Sequence, residues 1–254
     1  MSKDKRVKVS IVVPSYNETI EVKRKAIEEI DNFFKKQNYS YEVVIVDDGS
    51  TNNTLPEVKN LIEGRQGFRL IENEHSGKAI TVMTGLLNSR GDIAIFTDMD
   101  QATPIYEIDK LMPKFNAGFD VVIGSRKGRK GAPLTRKLAA WGFSVIRTIF
   151  LGLPFKDTQC GFKAFNRKSI ELIFPQLLNR WKAMKAKGAA VNAGFDVEVL
   201  FLAKKNNLKI AEVAVEWHHV ENLKQVHLLN DSLEALKDIL RIRWNDLKGE
   251  YDLS

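Results

Sequence analysis

Short runs rich in β-branched residues recur through the first half of the chain, at 7–13, 42–46, 68–71, 93–97 and 121–124. They are nearly continuous in apolar residues rather than alternating, which is how strands buried on both faces of a parallel sheet read. Amphipathic stretches of helical length lie between them, at 18–36, 55–63, 77–88 and 104–115. Asp, Asn, Ser, Thr, Gly and Pro gather where the strand runs end, which suits helix caps and tight turns. Alternation of this kind predicts right-handed crossovers and an open α/β sheet that takes its ligands at the carboxyl ends of the strands.

After residue 125 the pattern changes. Residues 127–131 read as a Gly/basic loop. The stretch 134–153 reads as a helix apolar on most sides, with Trp141, Phe143, Ile146, Ile149 and Phe150, but Arg147 and Gly152 interrupt it and argue against one bilayer-spanning helix. Strands are predicted at 161–165 and 209–215 and a helix at 192–205. A last helix places Leu229, Leu233, Leu236 and Leu240 along one face. No internal repeat or low-complexity tract is present.

Composition narrows the class. The 254 residues are 44% hydrophobic and 28% charged, enough for a sizeable core and incompatible with disorder. A single cysteine, Cys160, excludes a disulfide scaffold. The first ten residues are charged and lack the apolar core of a signal peptide. The net charge of +7 is local: from Arg126 to Lys156 there are eight basic residues and no acidic one, leaving the rest of the chain near −1. An anionic partner is expected to meet that segment, and no nucleic-acid signature accompanies it. His218 and His219 lack the third ligand of a zinc site. Trp181, Trp217 and Trp244 read as packing residues, with Trp244 also suited to an interface anchor.

Three strand exits hold the candidate chemistry: Pro14-Ser15-Tyr16-Asn17-Glu18, Asp47-Asp48-Gly49-Ser50 and Asp98-Met99-Asp100. Carboxylates spaced i, i+2 at a strand end suit one hard cation, Mg²⁺ or Mn²⁺, which takes oxygen ligands and shares its shell with substrate phosphates. With VPSYNE (13–18), VDDGS (46–50), SRGD (89–92), GSR (124–126), DTQCGFK (157–163), FDVE (195–198) and IAEVAVEW (210–217), the chain resembles family 2 glycosyltransferases of the GT-A fold. Within them it is most similar to the dolichyl-phosphate or polyprenyl-phosphate β-glucosyltransferases, with the dolichyl-phosphate mannosyltransferases next.

The resemblance implies a mostly parallel open sheet flanked by helices, with an acceptor-side helical subregion. One domain would span 1–254: a nucleotide-sugar half at 1–125, an acceptor half at 126–217 with an interfacial segment at 126–156, and a C-terminal helical extension at 218–254. It implies that Pro14, Tyr16 and Glu18 line the nucleotide, with Asp47 and Asp48 near base and ribose and Lys78 on the donor. Asp98 and Asp100 would hold the metal. Arg126, Arg136 and Lys163 are the expected ligands of the acceptor phosphate. Asp157 is placed near the reacting centre and Asp196 as base or acceptor-site organiser, the alternative for either being a helix cap or a lysine pair.

The implied activity is inverting transfer of a hexose, glucose from UDP-glucose, to a polyprenyl phosphate by a protein peripheral on the cytoplasmic face of a membrane. GDP-mannose as donor, a saccharide hydroxyl as acceptor, or a non-catalytic lipid- or partner-binding module are the alternatives. The chain departs from the branch at Gln101, where glycine is usual, and at 75–77, where the glycine-rich stretch before Lys78 is short. It also shows none of the N-terminal membrane anchor that eukaryotic members carry, and 182–187 with 188–193 reads as an inserted basic loop.

Overall fold

The computed structural model describes residues 7–126, 134–186, 194–218 and 228–252, with side chains described for all of these except 134–140, 185–186 and 228–232. Seven strands form one sheet: β1 (Val9–Ser15), β2 (Tyr41–Asp47), β3 (Phe68–Glu72), β4 (Ile93–Phe96), β5 (Val121–Arg126), β6 (Lys163–Asn166) and β7 (Ile210–Val215), in the order β3-β2-β1-β4-β6-β5-β7. All neighbours are parallel except β6, which runs antiparallel to both β4 and β5. The helices are α1 (Ile20–Phe34), α2 (Thr54–Ile62), α3 (Lys78–Leu87), α4 (Ile108–Asn116, preceded by a 3-10 turn at Ile105–Glu107), α5 (Leu134–Leu151), α6 (Arg167–Ala186), α7 (Phe195–Lys205) and α8 (Leu228–Leu247).

The sheet is buried on both faces. Val9, Ile11 and Val13 of β1 point into one core with Ala26, Ile27, Ile30 and Phe34 of α1, while Val12 joins the other with Val82, Met83 and Leu86 of α3. That second core continues through Ile173, Phe174, Leu177 and Trp181 of α6, Val199 and Leu200 of α7, and Ile239 and Ile242 of α8.

One sequence reading is corrected here. The predicted basic loop at 182–187 is helical through residue 186, as the end of α6. Residue 187 and the rest of that segment, 188–193, lie outside the described residues, as do 127–131 of the predicted Gly/basic loop. In α8 packing turns Ile239 and Ile242 inward and leaves Leu233 and Leu240 of the leucine face exposed and Leu236 half-buried. Among the described residues no helix is long and apolar enough to cross a membrane.

Candidate active site

The first three strand exits are stitched to one another. Asp47 accepts from the backbone N–H and hydroxyl of Ser50 at 2.9 and 2.6 Å, closing the turn after β2. Asn17, held at φ +51°, takes the Thr51 N–H on its Oδ1 at 2.9 Å and so ties the β1 exit to that turn. Asp48 accepts from Ser76 N–H at 2.8 Å and Gly77 N–H at 2.9 Å, and its carboxylate lies 3.0 Å from His75 Nδ1. Tyr16 stacks on His75 with ring centroids 4.3 Å apart. Both aspartates are buried, so their first effect is to hold the loops where the sequence reading expected a nucleotide. Pro14 sits beside Val46 in the β1–β2 register and is half-buried.

The β4 exit brings the acidic groups together. Asp98 pairs with the Lys78 ammonium at the start of α3, and Asp100 accepts the Ala102 N–H at 2.9 Å. Burial, then the charges of Asp100 and Asp98, push the Glu18 carboxyl above the usual carboxylate range. Burial and Asp98 do the same to Asp100. Burial pulls the Lys78 ammonium down, yet Asp98, Asp196 and Asp100 more than offset it and hold its pKa above the ordinary value. Negative charge that Lys78 offsets only in part, gathered at one strand end, fits a hard divalent cation. Among the described residues no three acidic, His or Cys side chains form a cage of their own, so such a cation would complete its shell with water and phosphate oxygens.

Gln101 explains the departure from glycine. Its φ of +50° lies in the left-handed region that favours glycine, and its side-chain Nε2 bonds Asp98 O at 2.8 Å to hold the turn. The DTQCGFK segment then supplies one contact after another. Asp157 takes a two-pronged fork from Arg126 (Nε 2.6 Å, Nη2 2.9 Å). Although burial alone would raise it, that fork and charge hold the Asp157 carboxyl below the usual range. Thr158 accepts from Arg147, burial pushes the Cys160 thiol up, and Gly161 lets Asp98 lie against its backbone, where an added Cβ would come 2.1 Å from Oδ2. Lys163 is fully buried and donates to Asp196 and to Cys160 O.

Asp98, Asp100, Arg126, Gln159, Gly161 and Trp217, with Thr97, Ala102 and Thr103, line a cavity of about 160 Å³. The structure therefore brings together Glu18, Lys78, Asp98, Asp100, Arg126, Asp157 and Asp196. It gives Lys163 a place beneath Asp196, not at the surface of the cavity, because its ammonium is already committed. Arg136 falls in the first turn of α5 with its side chain outside the described residues. Of the nine lining residues only Asp98, Asp100 and Arg126 were candidates from sequence; Gln159 and Gly161 lie inside a recognised motif, and Trp217 was taken for packing. SRGD lies at the opposite, amino end of the sheet, where Gly91 N–H bonds Ser10 Oγ at 2.8 Å, and it serves the scaffold.

The FDVE segment divides between the two tasks. Asp196 meets Lys163, while the buried Glu198 accepts from Trp181 Nε1 at 2.9 Å and from the Tyr251 hydroxyl, fastening α7 to α6 and to the C-terminal turn.

Comparison with known proteins follows the same lines. The glycosyl transferase family 2 model matches residues 10–174. Dolichyl-phosphate β-glucosyltransferase of Dictyostelium discoideum is 34% identical, over 96% of this chain and 76% of that protein. The protein of the same name from Saccharomyces cerevisiae is 33% identical over 98% and 78%, and that of Homo sapiens 30% identical over 96% and 78%. Among solved structures, glucosyl-3-phosphoglycerate synthase from Mycobacterium tuberculosis in complex with UDP aligns at a TM-score of 0.66 and 19% identity, covering 94% of this chain and 80% of that one. The same synthase with Mn²⁺, UDP-glucose and phosphoglyceric acid aligns at 0.65 and 19%, over the same shares of the two chains.

Proposed function

This chain belongs to glycosyl transferase family 2 and has the GT-A fold, and we propose that it moves glucose from UDP-glucose onto a polyprenyl (dolichyl) phosphate with inversion at the anomeric carbon. The names of its relatives support the glucosyl group and the acceptor, and the UDP-glucose bound to the mycobacterial neighbour supports the donor.

The observation that carries the acceptor class is the state of the two candidate bases. Asp157 is locked in the Arg126 fork with its carboxyl held below the usual range, and Asp196 is paired with the buried Lys163. A hydroxyl acceptor needs a base to take its proton. A phosphate monoester is already charged at neutral pH and needs only to be positioned. Its oxygen attacks the anomeric carbon, the bond to the diphosphate oxygen breaks, and the nucleoside diphosphate leaves with the electron pair. No proton has to move.

Each group then has a role. Arg126, with Nε and Nη2 fixed by Asp157, offers the acceptor phosphate its remaining amino group in a set orientation. Lys163 acts through Asp196, and Arg136 remains an expected phosphate ligand. Tyr16 and the loops held by Asp47 and Asp48 flank the nucleotide, and Lys78 faces the diphosphate. Asp98 and Asp100, with Glu18 beside them, would hold Mg²⁺ or Mn²⁺, which when bound offsets the charge developing on the leaving diphosphate. Seven of the nine exposed large hydrophobic side chains among the described residues lie on α5 and α8, which supports a peripheral membrane face that meets the lipid carrying the acceptor.

A release assay tests this reading. Protein with Mn²⁺ or Mg²⁺ is offered UDP-glucose, GDP-mannose or UDP-N-acetylglucosamine, each with and without a short polyprenyl phosphate. UDP released from UDP-glucose only when the lipid is present is the expected result. Release from another donor would overturn the sugar assignment, and release that ignores the lipid would overturn the acceptor.

A further inference from the structure

Trp217 is held at the mouth of β7 by its neighbours on both sides. Glu216 N–H donates to Glu107 Oε2 at 3.2 Å and His218 N–H to Ala102 O at 2.8 Å, so the chain is pinned on either side of the indole to the turn that follows the β4 carboxylates. Tyr106 hydroxyl adds a 2.9 Å bond to Glu216. The Arg126 guanidinium carbon lies 5.8 Å from the indole centroid, within cation–π range. The ring is thus preorganised on the wall of the 160 Å³ cavity that also contains Asp98, Asp100, Arg126 and Gln159.

That cavity is smaller than the roughly 300–1,000 Å³ typical of sites that enclose a whole drug-sized ligand. It suits one ring-sized group with the rest of the ligand outside. A pyranose has a face of C–H bonds that packs on an aromatic ring and an equator of hydroxyls that needs donors and acceptors. One rigid indole beside an amide, a guanidinium and carboxylates is that combination. We infer that Trp217 is the platform on which the hexosyl ring of the donor packs, a positioning residue that orients the anomeric carbon. The inference rests on the proposed hexosyl transfer but not on which hexose is moved.

The test compares W217A, W217F and the unchanged protein in titrations with UDP, UDP-glucose, GDP and GDP-mannose in the presence of Mn²⁺, with thermal melts to establish that each variant is folded. In W217A, affinity for the nucleotide alone stays within about twofold, while affinity for the matching nucleotide sugar falls about tenfold. W217F keeps most of the sugar affinity, because it keeps an aromatic face. The change in tryptophan fluorescence that the nucleotide sugar produces beyond the nucleotide alone is lost in W217F. A W217A that loses nucleotide and nucleotide-sugar affinity equally, or that changes only the acceptor KM through Arg126, overturns the inference. If the unchanged protein binds neither nucleotide sugar, it is the glycosyl-transfer reading that fails, a result visible without any variant.

Discussion

At Asp100 the protein's stability and its proposed chemistry pull in opposite directions. Burial and Asp98 raise this carboxyl's pKa in the folded state. A raised carboxyl costs stability once it is ionised: the cost is absent below the unfolded value of about 4, grows as pH rises from there, and is complete above the folded value. Asp100→Asn keeps the acceptor for the 2.9 Å bond from Ala102 N–H and removes the charge. The variant should therefore melt at a higher temperature than the unchanged protein at pH 7.5 with chelator, and the two should converge near pH 3.5. Adding Mn²⁺ with UDP should raise the melting temperature of the unchanged protein and leave the variant where it was. A variant less stable at pH 7.5 without metal would mean that the charge is already compensated within the chain. The i, i+2 spacing of Asp98 and Asp100 could be read as suited to a cation, whereas Glu18 was expected on the nucleotide and its place beside them belongs to the fold. Gln101 was legible as a departure, but its left-handed φ belongs to the turn and not to the letter. Trp217 was not recognised, because a tryptophan after a strand reads the same whether it fills a core or walls a cavity.

Among the elements, α5 shows how a charge can be misread. Arg147 was expected among the basic residues facing an anionic partner. It is 2% exposed and donates to Leu153 O, Phe155 O, Thr158 Oγ1 and Ser144 Oγ. Glu212 of β7 grips the same connection from the other side, accepting from Lys156 N–H at 3.0 Å and Asp157 N–H at 2.8 Å. Together they set the backbone that delivers Asp157 to Arg126. Arg147→Met would leave buried acceptors without a donor, and the expected loss is about 3 kcal/mol of unfolding free energy. Denaturant titration reads the stability, and the release assay should show activity falling with it. A change under about 0.5 kcal/mol would refute the anchoring role. The first five strands and four helices were legible within a few residues, since apolar runs and amphipathic periodicity mark them locally. The antiparallel course of β6 was not, because a short apolar run has no direction written in it. Helix α6 was passed over although Ile170, Ile173, Phe174, Leu177 and Trp181 recur at helical spacing, because Pro175 breaks the run in the middle.

For the whole molecule, the question is what covers the face made by α5 and α8. Trp141, Ile149 and Phe150 from one helix and Leu233, Leu240, Trp244 and Leu247 from the other are all exposed. Phe150, Leu240, Trp244 and Leu247 border an open groove of about 620 Å³ with Lys237, Arg241 and Arg243 at its edge. The chain from 126 to 156, which leads from the Arg126 fork into α5, carries basic residues and no acidic one. Apolar side chains with tryptophans, next to a basic run, match an anionic bilayer surface better than a second copy of the same positive segment. The basic run could be read along the sequence. The share of α8 could not, because only the inward packing of Ile239 and Ile242 decides which of its leucines stay outside. Replacing Ile149 and Trp244 together by Ser should lower binding to vesicles of mixed phosphatidylserine and phosphatidylcholine at least about thirtyfold in co-sedimentation, since each side chain contributes on the order of 1–3 kcal/mol when buried. UDP release with a short, soluble acceptor should be unchanged, because neither residue lies at the cavity. Raising salt should weaken the binding of both proteins further, through the basic run. Equal vesicle binding by the variant, or a dimer in sedimentation that the two substitutions dissolve, would give the face to another copy of the chain instead of to lipid.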